Sequence, residues 1–482
     1  MWKSLLLLLT LAGIVAQPTF AAANPDCGDF GPLSGKIRSA SLDELSEMAD
    51  QAPEIARETF AARLKIREGA ARVLRGELPK ECADQMRNAM NDLRLLEDYL
   101  AMLYGRRQQK NETPIQDLGA LRGDSPVLMI NPNIVSAQEK DGEGRVALRS
   151  GDILLSRGAR FLSAMIAKIT KPAGLFSHAA LVYIDDKTGQ TYTVEAHIEV
   201  GVLASPISKY MNPSSSRVVV FRYKDPELAH AAAKNMFDRA VRQSDKGRNI
   251  PYDFSMDTSD HGALFCSEVP SNAYEAASGG KVKVPAFRSR MDLQSEDFMD
   301  RLGIHVSDTF APSDMEMDPD FELIAEWRNL EKIQGTWFSD ALMTRIYDWM
   351  ENRNYVLKST FGVRALKWFV WTFRKLPILK EPLRKSLPSN MSRNVLEVVA
   401  LLNKVEGKFY KNLEKSNNEK FARDDVLLRP SDLEAMIERV READFAQYEK
   451  DLAWKHDFSE ESRFTPRPKV LFHRWLSPAE MN

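Results

Sequence analysis

The sequence predicts an α+β protein, an antiparallel-sheet core set between helical N- and C-terminal regions. Three observations carry this expectation. Residues from Ser41 to about Gln109 are rich in Ala, Leu, Glu and Arg at helical spacing. The middle of the chain switches to short apolar or alternating runs bounded by turn residues. From Asn329 onward the pattern is helical again. With 482 residues, 44% of them hydrophobic, the chain can bury a sizeable core in two to four domains. A net charge of −2 excludes a strongly basic nucleic-acid binder, and no nucleic-acid partner is expected.

Taken in order, Met1 to Ala23 carries one early cation, Lys3, then an apolar stretch from Leu5 to Ala16 and the small residues Ala21-Ala22-Ala23. This reads as a cleaved secretory signal at residues 1–23, because the apolar stretch is short for a membrane span. The expected location is therefore periplasmic or otherwise exported. A helical region at 24–130 follows. Its hairpin shows apolar spacing at Leu42, Leu45, Met48 and Ala49, breaks at Gly76-Glu77-Leu78-Pro79, and resumes near Glu81-Cys82 through Leu93, Leu95, Leu96, Tyr99 and Leu100. Polar connectors at Arg106 to Asp124 and Gln138 to Gly144 lead to a central α+β domain at 145–330.

In the central domain, Asp152 to Leu155 predicts a short buried strand, Phe161 to Ile169 an amphipathic helix, and His178 to Ile184 a second strand. Asp185 to Gly189 supplies turn residues before a returning strand over Gln190 to Ala196. Val200 to Leu203, Arg217 to Tyr223 and Phe321 to Trp327 add strands, and Pro226 to Ser244 forms a helix opened by Asp225-Pro226. The helical C-terminal region, 331–482, includes Arg364 to Leu376, where Trp368 and Trp371 stand among four cations and no acid. Such a segment suits peripheral contact with anionic headgroups, or more simply a packed helix with a solvated charged edge; vesicle flotation with anionic lipid distinguishes the two.

Export bears on the three cysteines. In an oxidising compartment Cys27 and Cys82 are expected to pair, leaving Cys266 as the odd free thiol; the plainer alternative is three unpaired structural residues. Cys266 lies where the run Ala263-Leu264-Phe265 meets the expected start of a helix continuing through Ser271 to Ala277. A helix N-terminus offers unpaired N–H groups and positive potential, both of which favour thiolate. His178 opens one strand and Glu195 closes the next, so nucleophile, base and orienting carboxylate are all available. If the hairpin turn centres on Lys187, position 178 lies opposite 195 to 197, and either Glu195 or His197 could support His178. A carboxylate is the better partner for an imidazole that must become positive. Taken singly, each residue has a plainer use: an inert core thiol, a satisfied core histidine, an exposed strand-end glutamate.

The series Leu148-Arg149-Ser150-Gly151-Asp152-Ile153-Leu154, Ser177-His178-Ala179-Ala180-Leu181-Val182, Val194-Glu195-Ala196, Tyr252-Asp253-Phe254 and Phe265-Cys266-Ser267-Glu268 resembles the circularly permuted NlpC-type papain-like hydrolases of the YiiX/YebB group, over roughly 145–330. The resemblance implies a permuted papain-like fold in which the histidine precedes the cysteine and a strand-borne glutamate completes a Cys266, His178, Glu195 triad. Two departures stand out: Phe265 sits where the family often has tyrosine, and Ser259-Asp260-His261 places an extra histidine near the nucleophile.

Other chemistries find little support. The chain has no His-Glu-x-x-His or paired-cysteine pattern, its seven histidines are scattered along the sequence, and no phosphate-cradling glycine loop appears, so no metal or cofactor is expected. The expected activity is an exported cysteine hydrolase of amide or ester bonds acting through an acyl-enzyme, with envelope peptides or acyl groups as substrates. The alternatives are an acyl-group transferase or lipid deacylase on the same thiol fold, and a catalytically inactive envelope adaptor. Thiol titration tests the compartment reading: freshly isolated periplasmic protein should show one free thiol before reduction and three after it. Three free thiols at the outset would remove the bridge, whose loss should cost about 2–5 kcal/mol.

Overall fold

The computed structural model describes residues 27–110, 128–131, 147–210, 215–291, 293, 295–359, 391–456 and 465–480. The expected signal segment and the Trp368 and Trp371 segment lie outside the described residues. The N-terminal region is helical: α1 (Cys27–Ser39), α2 (Leu42–Met48), α3 (Ala52–Leu74) and α4 (Glu81–Lys110). Ser41 caps α2, its hydroxyl accepting from the Glu44 N–H while the Glu44 carboxylate accepts from the Ser41 N–H. A disulfide joins Cys27 to Cys82, with Cα atoms 5.4 Å apart, and so ties the start of α1 to the start of α4. The α3–α4 hairpin breaks at the expected Gly76, which takes a left-handed φ of 74°.

The central sheet has the strand order β1-β9-β6-β2-β3-β4-β5 and is antiparallel throughout. Its strands are β1 (Leu128–Ile130), β2 (Ile153–Gly158), β3 (His178–Ile184), β4 (Thr191–His197), β5 (Gly201–Pro206), β6 (Ser215–Tyr223) and β9 (Phe321–Arg328). The expected strands all form. β1 joins the edge by pairing with β9, so the sheet also draws on residues upstream of 145. Two short strands, β7 (Ser289–Arg290) and β8 (Asp308–Thr309), make a separate ribbon.

Helix α5 (Phe161–Lys168) follows β2 directly, and α6 (Ile207–Tyr210) follows β5. Next come α7 (Pro226–Asp245), α8 (Glu268–Ala277) and α9 (Glu296–Leu302). Asp225 caps α7, accepting from the N–H groups of Glu227 and Leu228. One face of the sheet packs against α7 and α8, burying Leu155, Leu181 and Val219 with Ala233, Met236 and Tyr274. The C-terminal region adds α10 (Leu330–Asn352), the paired strands β10 (Tyr355–Leu357) and β11 (Leu476–Pro478), α11 (Arg393–Asp424) and α12 (Pro430–His456). Leu96, Tyr99 and Leu100 of α4 share one core with Trp337, Leu342, Leu401 and Leu402 of the C-terminal helices. The two helical regions and the sheet are therefore built into one another.

Between α3, α4 and the sheet lies a buried cluster of charges. Arg63 pairs with Glu97 at 2.7 Å and with Glu326, and Arg94 with Glu326 at 2.9 Å and Glu316 at 2.5 Å. Arg328 pairs with Glu97 at 2.6 Å, while Arg217 pairs with Asp98. Arg63, Arg94 and Glu97 lie on inward helix faces, which carry charge where an apolar stripe would be usual. Burial works against ionisation of Glu326, but Arg63, Arg94, Arg328 and Arg217 outweigh it and hold its carboxyl well below the usual carboxylate range. Its stabilising contribution is thus complete above the unfolded value, about 4.3, and is lost as pH falls through the lower folded value. Glu326→Ala would strand several buried cations and should cost about 3–5 kcal/mol in urea denaturation. A loss below about 1 kcal/mol would show that the cluster does not depend on this carboxylate.

Candidate active site

The site forms at one end of the sheet. Ser156 of β2 pairs with His178, the first residue of β3, and continuing the β3–β4 register from Leu181 and Val194 brings His178 level with His197. Because side chains alternate along a strand, Thr193, Glu195 and His197 share one face of β4. The Glu195 carboxylate accepts from His178 Nε2 at 2.7 Å and from the Thr193 hydroxyl at 2.9 Å, and His197 Nε2 lies 3.2 Å away. The carboxylate therefore engages both histidines considered from the sequence. Thr193 was not singled out, although the same two-residue period places it.

Cys266 is buried in the turn leading into α8, just ahead of the helix cap Ser267. Its thiol lies 3.9 Å from the Ser267 hydroxyl, and His178 and the Ala179 N–H are near enough to act on its charge. With Nε2 directed at Glu195, Nδ1 is the ring nitrogen left for the thiol. His178 thus bonds Glu195 and stands near enough to Cys266 to influence its charge.

The electrostatics follow from these contacts. Burial opposes a charge on His178, but the bonds to Cys266 and Glu195 prevail and its pKa is pushed up to about 10. Burial raises the Cys266 thiol, whereas His178 and the Ala179 N–H lower it further than burial lifts it. Glu195 is disfavoured as an anion by burial, yet its bonds to His178 and His197 hold it far below the usual carboxylate range. The combination favours a thiolate–imidazolium pair braced by a carboxylate.

The supports of these residues come from all parts of the chain. The Phe176 ring, two residues before His178, is buried beneath the guanidinium groups of Arg94 and Arg217, 5.1 and 5.9 Å from its centroid. Ser177 donates its N–H to Ser156 O at 2.9 Å, and its hydroxyl accepts the Gly158 N–H at 3.2 Å. Tyr210 stacks on His178 at 6.2 Å and donates its hydroxyl to Leu154 O at 3.2 Å. No periodic signal marks Tyr210, which sits in the single-turn helix α6.

Asp253 accepts the N–H groups of Ser255 and Asp257, and the Glu268 carboxylate accepts the Phe265 N–H at 3.0 Å, fastening the Cys266 turn to the first turn of α8. Burial raises Glu268 to about 8, despite that bond. Gly201 has φ 81°, and a Cβ there would lie 2.0 Å from Ile250 O. Glycine is what lets the 250–256 loop press against β5 and carry Tyr252 toward the thiol. Burial and the negative charge of Cys266 push the Tyr252 hydroxyl well above its ordinary value. His261 is exposed, and its carbonyl accepts from Arg239 Nη2 at 2.7 Å.

Histidines scattered in sequence gave no reason to expect metal ligands, but the fold gathers two of them. His178, Glu195 and His197 offer ligand atoms within 4.8 Å of one another, a donor set able to hold a metal ion. A metal there would occupy the nitrogen and oxygen atoms that now link His178 to Glu195.

Comparison with known proteins concerns the central segment. Residues 147–325 match the model of the permuted papain-like amidase enzymes of the YaeF/YiiX, C92 family, and the resemblance drawn from the sequence is thereby established for that segment. The crystal structure of metalloprotein yiiX from Escherichia coli O157:H7 is similar to 38% of this chain and 98% of its own, at 19% identity and a TM-score of 0.29. A search of curated proteins finds no match.

The thiolate can be tested by the pH dependence of iodoacetamide alkylation. The inflection for Cys266 should fall below the ordinary thiol value of about 8.5 and move upward in His178→Ala. An inflection at or above that value in the unaltered protein would exclude the ion pair.

Proposed function

We propose that the protein is an exported cysteine hydrolase that cleaves amide or ester bonds through an acyl-enzyme, with cell-envelope peptides or acyl compounds as its substrates. The observation that carries this reading is one imidazole, His178, that bonds a buried carboxylate and lies within electrostatic reach of a buried thiol. The match of residues 147–325 to papain-like amidases supports it. Export rests on the apolar N-terminal segment, and the Cys27–Cys82 bridge is compatible with an oxidising compartment.

In the proposed cycle the Cys266 thiolate attacks the substrate carbonyl carbon, forming an S–C bond and an oxyanion. The backbone N–H of Cys266, ahead of α8, is the proposed oxyanion donor. Collapse of the tetrahedral species breaks the C–N or C–O bond, and the departing amine or alcohol takes the proton held by His178. Water then attacks the thioester as His178 removes its proton; hydrolysis releases the acid and restores the thiolate–imidazolium pair. Glu195 stays ionised, stabilising the imidazolium and fixing its ring orientation. An acceptor other than water at the second step would make the same site a transferase, which product analysis with an added acyl acceptor reveals.

Labelling by a thiol-reactive acyl probe tests the assignment. Cys266→Ala should abolish labelling with the fold retained, and His178→Ala should slow it by about 10²–10⁴-fold near neutral pH. Glu195→Gln should be milder than Glu195→Ala, because it keeps a hydrogen bond while losing the charge. His261→Ala should change little. Loss of labelling in His261→Ala alongside full activity in His178→Ala would overturn the choice of base.

A further inference from the structure

Glu195 holds one histidine more than the proposed cycle uses. Its Oε2 lies 2.7 Å from His178 Nε2 and 3.2 Å from His197 Nε2, so a single carboxylate oxygen stands between two imidazole nitrogens. Among the described residues no lysine or arginine pairs with Glu195; its partners are the two imidazoles and the Thr193 hydroxyl. The three side chains come from β3 and β4, neighbouring strands whose register places them, so the sheet and not a loop sets their spacing. Thr193 is fully buried and donates to Glu195 Oε1 at 2.9 Å, which leaves Oε2 directed at the histidines. An outer hydrogen bond of this kind orients a metal-binding carboxylate. Glu195 is almost completely buried, whereas the His197 side chain is 39% exposed and opens the group to solvent.

The donors fit one class of ion. One ligand atom from each residue lies within 4.8 Å of the other two. A tetrahedral ion with bonds of about 2.0–2.1 Å spaces its ligands about 3.3 Å apart. The 3.2 Å contact of His197 with Glu195 already matches, the 2.7 Å contact of His178 must open slightly, and the exposed His197 ring is free to follow. Two imidazoles and a carboxylate suit zinc and its transition-metal neighbours, whereas calcium and magnesium demand a shell of oxygen ligands and find one carboxylate. We propose that His178, Glu195 and His197 form a binding site for a divalent ion of the zinc class, and that its occupancy arrests acyl transfer at Cys266. The arrest rests on the thiol chemistry proposed above; the site itself does not. In the hydrogen-bonded arrangement a proton lies between His178 Nε2 and Glu195. An ion bound there displaces that proton to solvent. His178 is then a neutral imidazole with its one proton on Nδ1, and Glu195 no longer braces a positive ring. A departing amine or alcohol that took this last proton would leave an imidazolate, so the metal-bound ring is a far poorer acid than imidazolium. Metal binding and the imidazolium needed for turnover therefore exclude one another.

The experiment uses the full chain, free of any polyhistidine tag, with zinc and cobalt(II) chlorides as probes. Calorimetry should find one zinc ion per chain, and cobalt should give the visible absorption of a tetrahedral nitrogen–oxygen site. His197→Ala should abolish both signals. Thr193→Val, which keeps the shape and loses the hydroxyl, should weaken zinc binding about 10–100-fold. Absence of binding, or binding unmoved in both variants, overturns the site. Cys266→Ala should bind zinc as the unaltered protein does, which keeps the site separate from the thiol reading. Turnover of p-nitrophenyl acetate should fall at least tenfold with one equivalent of zinc and return on adding EDTA. The readout is the ratio of rates with and without zinc, so a changed basal rate in a variant cancels; in His197→Ala the ratio should approach one. Equal inhibition in His197→Ala places the ion on the thiol and overturns the site. Full turnover with zinc bound overturns the arrest and keeps the site. Failure of the ester to acylate Cys266 alongside intact zinc binding removes the thiol reading, and the arrest with it, and retains the site.

Discussion

The interaction on which the rest of the structure depends is the buried ion cluster between the N-terminal hairpin and the sheet. Arg63, Arg94, Arg217 and Arg328 face Glu97, Asp98, Glu316 and Glu326, so the formal charges balance. Each of these groups lost its hydration on burial, a cost of several kcal/mol per ion that only close, multiply bonded partners offset. The balance holds only while α3, α4, β6 and β9 keep their positions. A shift of one element would leave an unpaired charge in a low-dielectric interior. An apolar interface could be equally stable, but it would tolerate sliding; this one constrains position through the geometry of guanidinium–carboxylate pairs.

That constraint reaches the candidate active site. Arg94 and Arg217, members of the cluster, cover the Phe176 ring, and Phe176 leads through Ser177 into His178. The imidazole is thus held from three directions: by the strand register with β2, by Tyr210 stacking on its ring, and by the packed segment before it. Glu195 is fixed in turn by the Thr193 hydroxyl and by pairing of β4 with β5. Cys266 arrives on a different element, the turn before α8, where Glu268 binds back to the Phe265 N–H. Rigid support of this kind matters for a thiolate–imidazolium pair, since its two pKa shifts depend on a hydrogen bond that a small displacement would break.

Much of this was legible in the sequence. Alternation and turn residues located the main strands of the sheet to within three residues at either end, because a half-buried antiparallel strand has a strict two-residue period. A hairpin turn centred on Lys187 places His178 opposite 195 to 197, since a turn fixes register. The Cys27–Cys82 pairing followed from cysteine count and expected compartment. Less was readable where the determining partner lies far along the chain. Arg63 and Arg94 occupy inward positions of ordinary-looking helices, and only the approach of Glu326, more than two hundred residues away, makes their burial possible. Strand β1 is three residues long and gains its role from pairing with β9.

What the sequence by itself determined is the chemistry available: a lone thiol before a helix, a histidine at a strand start, a glutamate on the returning strand, and the order in which they occur. These are properties of local pattern and of short-range register. Only the tertiary structure decided that Glu195 engages both His178 and His197 and that Tyr210 covers the imidazole. The physical reason is that each of these contacts joins side chains from separately folded elements. Their distances are set by the packing of whole helices and strands, which no local spacing encodes.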